Sequence, residues 1–293
     1  MKRGKSRELA GCFASRAESA RCKLAFLGLA CDSQSSYRRG TAAGPRALRR
    51  AYDGDCYNSY TELEVNLAGR VADLGEVRGG RTWKATAAEI ERRAAALFAA
   101  GKRAFFAGGD HAVSIPVARA LAALRRPLHV VQLDAHPDLY DEFERDRESH
   151  ACVGARILEL PHVASLTQIG IRTMNASQRK VARAHGGRLH LLEAREAGDA
   201  IPAPAHIPRG ADVYLTLDLD VFDPAYAPGV SHPVPGGLAP RAVMSFLQQA
   251  RWNLVGMDVV ELNPRFDQGQ RTAVLAARLL LEGMGKALAP RGA

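Results

Sequence analysis

Three short segments each follow an apolar run: Gly108-Gly109-Asp110-His111, Asp134-Ala135-His136-Pro137-Asp138 and Asp218-Leu219-Asp220. Leaving Asp110 aside, they offer two imidazoles and four carboxylates: His111, Asp134, His136, Asp138, Asp218 and Asp220. Such a set suits a pair of divalent ions better than one structural zinc, and oxygen-rich donors with imidazole favour manganese-like metals. Two such ions roughly 3.5–4 Å apart can make and hold a hydroxide near neutral pH, so the chemistry is hydrolysis. Spacing of two in an extended segment places Asp134, His136 and Asp138 on one face. Asp218 and Asp220 repeat that geometry, and two close carboxylates repel unless a cation lies between them. Gly108 and Gly109 permit a sharp turn before His111. Taken singly, the Asp134–Asp138 segment also reads as a salt-bridged loop, and Asp223-Pro224 reads as a turn.

Elements must position these residues. Strands are expected at Lys23–Leu29, Arg70–Leu74, Arg103–Ala107, Leu128–Leu133, Ser165–Ile171, Arg188–Leu192, Asp212–Leu217 and Leu254–Val260, because their near-continuous hydrophobicity suits burial on both faces. Helices are expected at Ala85–Ala100, Ser114–Leu124 with Ser114 as N-cap, Asn175–His185, Arg241–Ala250 and Arg271–Lys286. The alternation predicts a three-layer α/β/α fold around a mostly parallel, doubly wound sheet of about eight strands. Residues 23–293 read as a single domain, with Ala200–Gly210 as a loop, and 1–22 as a poorly ordered arm. Each acidic segment, and Glu261 after Val260, follows the carboxyl end of a strand, where open parallel sheets build their sites.

Bulk properties exclude other classes. The chain has 293 residues, 47 % hydrophobic and 24 % charged, as in ordinary globular proteins. Its formal charge is +9. The excess is scattered Arg without interleaved aromatics, so a solvated basic surface is expected rather than a nucleic-acid groove. No apolar run approaches the roughly 20 residues that span a bilayer. Residues 1–21 lack the uninterrupted apolar stretch of a secretory signal. Five cysteines without a CxxC pair point to a reducing, cytoplasmic setting. Cys152, two residues after His150, reads as a bystander thiol or a Cys–His nucleophile.

The chain resembles the ureohydrolases, the arginase and agmatinase family. The resemblance rests on GGDHAVSIP (108–116), DAHPD (134–138), LDLDVFDPAYAPGVSHPVPGGL (217–238), VVELNP (259–264), QIGIR (168–172) and SSYRRGTAAGPRALR (35–49). It runs from about Ala25 to the end. It implies two Mn²⁺ per subunit. His111, Asp134, Asp138 and Asp218 would hold one ion; Asp134, His136, Asp218 and Asp220 would hold the other. Asp138 would also orient the bridging hydroxide. Glu261 matches the acid that holds the guanidinium, His150 the proton-shuttling, substrate-facing histidine. Trimers or hexamers are usual in the family, with no nucleic-acid or membrane partner implied.

Substrate is read from departures. Thr173-Met174 stands where arginases carry an acid after the strand, and Leu139-Tyr140-Asp141-Glu142 replaces their small polar residues. Agmatine, hydrolysed to putrescine and urea, is therefore the first expectation; guanidinobutanoate, guanidinopropionate or a formimino compound is the alternative. Asp141, Glu142 and Glu144 could attract an ammonium, Arg145 and Arg147 a carboxylate, or all five could form a solvated loop. Ala151-Cys152-Val153 replaces the Gly-Thr-Pro of many agmatinases, which bears on the substrate wall. His232 reads as a loop residue. A metallophosphoesterase would need further GD and GNH segments, and a one-zinc deacetylase would not use the full ligand set. A catalytically silent binding relative fits poorly with six occupied ligand positions.

Overall fold

The computed structural model of the chain describes residues 8–198 and 200–288. Its apolar runs become strands because neither face meets water. They are β1 Leu24–Ala30, β2 Val71–Arg78, β3 Arg103–Ala107, β4 Leu128–Leu133, β5 Val163–Ile171, β6 Leu189–Glu193, β7 Asp212–Asp218 and β8 Asn253–Val260. All eight expected runs are strands, in one sheet ordered β2-β1-β3-β8-β7-β4-β5-β6. Every adjacent pair is parallel, so the sheet is wholly rather than mostly parallel.

Helices cover both faces: α1 Gly44–Ala51, α2 Trp83–Ala99, α3 Ser114–Ala120, α4 Val153–Leu158, α5 Ala176–Ala184, α6 Ala194–Ala197, α7 Pro240–Gln249 and α8 Arg271–Leu288. Successive phenylalanines on β3 show the layering. Phe105 belongs to the core cluster that holds Met257, Leu280 and Met284, whereas Phe106 belongs to the one that holds Ile90, Phe98 and Val117. Alternate side chains of one strand thus enter opposite cores.

Three details differ from the sequence reading. Ser114 is not an N-cap, because the turn His111–Val113 leads directly into α3, whose cap position is Val113 with no side-chain bond. Residues 8–22 are not a loose arm: Leu9 and Cys12 are fully buried, Phe13 bridges to Val71, and Ala10 N–H donates to Tyr52 O at 2.7 Å. Their few apolar side chains cover the edge of the sheet beside β2. Residues 1–7 of that arm lie outside the described residues. Helices α1, α4 and α6 were not anticipated. By contrast, Asn175 caps α5 as expected, accepting from Gln178 N–H at 3.0 Å. No helix among the described residues is long and apolar enough to cross a membrane.

The strand order explains where the site lies. The chain winds outward from β1 to one edge, then from β4 to the other, and returns to insert β7 and β8 at the centre. Strands β3, β8, β7 and β4 are therefore adjacent, and their carboxyl ends carry His111, Glu261, Asp218 and Asp134. This is the topological switch point.

Gly109 is the tightest turn there. A Cβ at this position would lie 1.6 Å from the Cys31 carbonyl oxygen. That atom belongs to backbone bonded to Asp110 N–H at 3.0 Å and cannot swing aside. Gly109→Ala is expected to destabilise the fold by roughly 3 kcal/mol or more. The measurement is the urea midpoint at unchanged m-value; a shift under about 0.5 kcal/mol would show that the turn can relax.

Candidate metal centre

The six predicted ligands meet in one buried cluster. His111 Nδ1 lies 3.1 Å from Asp134 Oδ2, 3.1 Å from Asp138 Oδ2 and 3.4 Å from Asp218 Oδ2. His136 Nδ1 lies 2.8 Å from Asp220 Oδ2 and 3.7 Å from Asp134 Oδ1. Two groups have ligand atoms all within 4.8 Å of one another: His111 with Asp134 and Asp218, and Asp134 with His136 and Asp220. Asp134 belongs to both, Asp218 only to the first.

Local structure aims these side chains. Gln132 Nε2 donates to Asp134 Oδ2 at 2.8 Å, and His136 N–H donates to Oδ1 at 2.6 Å. Asp218 Oδ1 accepts Asp220 N–H at 2.9 Å, while Asp220 Oδ1 accepts Ala135 N–H at 3.0 Å. Asp138 adopts φ 48°, a left-handed conformation uncommon outside Gly, Asn and Asp. Arg172 fastens the loops behind, donating to Asp220 O and Val234 O at 2.6 Å each. Asp110 turns away, its Oδ2 accepting Gln34 N–H at 2.8 Å.

The residues fit a pair of divalent cations. His111 Nδ1 is buried and faces three carboxylates, yet it makes no hydrogen bond. Burial opposes charge on His111, but hydrogen-bonding proximity to Asp134, Asp138 and Asp218 outweighs it and raises its pKa well above 6.5. Burial, then the Asp134 charge, lifts Asp138 to about 7. Burial, then the Asp220 and Asp134 charges, raises Asp218 well above the carboxylate range. Crowded buried carboxylates with few protons to share are what divalent cations neutralise.

Glu261 and His150 flank the cluster. Glu261 sits at φ 65°. Its Oε1 accepts His111 N–H at 2.9 Å, and its buried Oε2 has no partner. Burial, then the Asp110 charge, raises its pKa well above 4.5. His150 Nε2 accepts Ser36 N–H at 3.3 Å and lies 2.9 Å from Ser36 Oγ. That places its Nδ1 on the side of Glu261 Oε1, 3.8 Å away. Burial, followed by the charges of His232, His111 and His136, lowers His150 to about 3. The shift favours the neutral ring.

A cavity of about 180 Å³ opens onto this cluster, walled beyond the ligands by Ser36, Tyr140, Phe143, His150, Thr173, Gln178 and His232. The sequence carries no direct sign that Ser36, Phe143, Gln178 and His232 line a cavity. His232 is a loop residue, as expected, and its ring lies in the site: it stacks on His150 at 5.0 Å and meets His136 edge-on at 6.1 Å. The signal was its place in the loop after β7, which must cross the strand ends. Ser36 lies in the quoted 35–49 segment but had no chemical role assigned.

The charged loop takes its third reading. Asp141 clasps Arg147 and Arg156, and Arg147 also meets Glu159. Glu142, Glu144 and Arg145 are exposed around a tight turn closed by Phe143 and Asp146, and only Phe143 of the loop's charged stretch reaches the cavity. Cys152 is a buried bystander, its thiol pushed up to about 12 by burial.

The model described as the Arginase family matches residues 22–285. Arginase 1, mitochondrial, of Arabidopsis thaliana is 34% identical over 278 residues, covering 90% of this chain and 80% of the relative. Agmatinase of Klebsiella pneumoniae is 33% identical over 265 residues, covering 87% and 84%. Among solved structures, arginase from Medicago truncatula superposes with a TM-score of 0.81 at 33% identity, covering 90% of this chain and 86% of that one. Agmatine ureohydrolase of Thermoplasma volcanium gives 0.80 at 27% identity, covering 97% and 95%.

Proposed function

The chain belongs to the arginase family, and from that membership we propose that it hydrolyses agmatine to putrescine and urea with two Mn²⁺ per subunit. His111, Asp134, Asp138 and Asp218 would hold one ion, and Asp134, His136, Asp218 and Asp220 the other. Bound there, the ions would supply Lewis acidity and lower the pKa of a water from about 15.7 to about 7. The protein's own groups do the rest. Asp138, on the cavity wall, orients the attacking water and accepts its proton. Glu261 Oε2 receives the planar guanidinium through N–H donors, a charge-assisted contact. His150, on the same cavity wall, would pass the proton given up by the attacking water to the departing amine.

The observation that carries the reading is the unpartnered, buried Glu261 Oε2 beside the ligand cluster. It is an acceptor that lacks a donor at the edge of a cavity lined by the proposed metal ligands. For the substrate, the cavity lining beyond the proposed metal ligands contains the acid Glu261 and no Lys or Arg. That favours a cationic guanidino compound without a carboxylate. Arginine is the second reading, favoured by the 34% identity to plant arginases.

A panel with manganese-loaded protein decides among them: agmatine, arginine, guanidinobutanoate, guanidinopropionate and formiminoglutamate, scoring urea or, for the last, formamide. Agmatine is expected to give the highest kcat/KM. A higher value for arginine would replace the substrate but keep the reaction. No turnover of any compound by protein holding two ions per subunit would overturn the hydrolase reading and leave a silent binding relative. Chelation is expected to abolish urea release and added Mn²⁺ to restore it. A homotrimer or hexamer and a cytoplasmic location complete the proposal; light scattering and cell fractionation test them.

A further inference from the structure

We propose that Thr216, Asp258 and Tyr214 form a buried relay that fixes His111 in one tautomer and thereby sets the affinity for its divalent ion. The inference rests on the reading that His111 is a metal ligand. It concerns residues below the strand tips that take no part in the chemistry described above.

The strand register builds the relay. Thr216 on β7 pairs with Asp258 on β8, and Tyr214 pairs with Gly256 two positions back. Residues two apart on a strand share a face, so both hydroxyls of β7 meet the one carboxylate of β8. Tyr214 OH donates to Asp258 Oδ2 at 2.7 Å. Thr216 Oγ1 donates to Asp258 Oδ1 at 2.6 Å. Thr216 Oγ1 also lies 3.0 Å from His111 Nε2. A Cβ at position 256 would stand 3.1 Å from the Tyr214 ring, so Gly256 gives that ring its room.

A threonine hydroxyl has one proton. Thr216 commits it to a carboxylate, and the bond is short and charge-assisted. Ser114 Oγ, at 3.4 Å, is the weaker competitor for it. Toward His111 the hydroxyl can then only accept. In the neutral ring that binds a metal, Nε2 must then carry the proton, and Nδ1 keeps its lone pair. Nδ1 is the atom that faces Asp134, Asp138 and Asp218. An imidazole binds a metal through a bare nitrogen, and the hydrogen bond at its other nitrogen selects the tautomer.

Burial makes the relay obligatory. Thr216 and Asp258 are wholly inaccessible, and His111 and Tyr214 are 1 % exposed. No water can replace a lost partner. The relay also accounts for a carboxylate in the interior of a central strand, an otherwise costly placement.

The test measures Mn²⁺ dissociation constants by chelator competition on metal-free protein. Thr216→Val and Asp258→Asn keep side-chain shape, and thermal melting of the metal-free proteins checks that each remains folded. Val removes the acceptor. Asn can offer an N–H to Thr216, which frees the hydroxyl proton to point at His111 Nε2 and favours the wrong tautomer. Each is expected to weaken Mn²⁺ binding about 10- to 100-fold, and Thr216→Ser to restore it. Affinity within about threefold of the parent in either folded variant overturns the relay. His111→Ala separates the two levels. If it loses an ion while Thr216→Val does not, only the relay fails. If it keeps both ions at parental affinity, the ligand assignment fails.

Discussion

Asp134→Asn is expected to remove bound manganese and urea release together. Asp134 is shared by both ligand groups and, like Asp218, is assigned to both ions, so its substitution touches the two sites at once. Its carboxylate is already pinned by Gln132 and by His136 N–H. Burial opposes its charge, but His111 and His136 hold its pKa below the ordinary carboxylate value. An amide of the same shape keeps the volume and removes the charge. It also presents an N–H₂ where Gln132 Nε2 donates. The loss of metal-derived transition-state stabilisation is worth several kcal/mol, or about 10³-fold or more in kcat/KM. Metal analysis after loading should fall below two ions per subunit in parallel with rate. Full activity with two ions would contradict a shared role. Asp110→Asn is the control. Asp110 is equally buried and adjacent to His111, but its carboxylate is bonded to Gln34 N–H, so metal content should be unchanged.

Much of this was legible because the features are local. A strand covered on both faces is a continuous apolar run, so all eight strands could be read, and four of their ends placed the acidic segments. What escaped depends on partners distant in the chain. Helix α1 reads Gly-Pro-Arg-Ala-Leu-Arg-Arg-Ala, as if solvated. Yet Arg49 is buried, donating to Asp73 at 2.6 Å and lying 4.4 Å from the Phe26 ring centroid. Paired and stacked, a guanidinium enters a core that composition alone forbids it. The same contact explains residues 8–22, since the Phe13 ring also lies against Arg49, at 5.2 Å, and beside Phe26. His232 and Ser36 reach the site from loops that no periodicity positions. Thr216 and Asp258 look like interruptions of apolar strands until the register sets them opposite each other. The charged loop was ambiguous because sign alone cannot say whether Asp141 faces a ligand or Arg156.

Glu261→Gln is expected to spare the metal and cost the substrate. Oε1 accepts His111 N–H at 2.9 Å, a bond that a glutamine carbonyl can keep, so the β8 end and the ligand cluster should persist. Oε2 is the atom that changes. In the parent it is a buried acceptor without a donor; in the variant an N–H₂ group points into the same space. A guanidinium offers only donors there. The variant therefore loses the charge and sets donors against donors. Hydrogen bonds to charged groups contribute about 1.5–3 kcal/mol each, so loss of a paired contact predicts a fall in kcat/KM of about 10²- to 10⁴-fold. Two ions should remain bound, which distinguishes this variant from Asp134→Asn. If the glutamine variant kept more than a tenth of parental kcat/KM with its ions in place, Glu261 would be a strand-end residue that supports the His111 backbone, and the guanidinium would need another acceptor. If it lost the ions as well, the carboxylate would belong to the metal cluster rather than to the substrate.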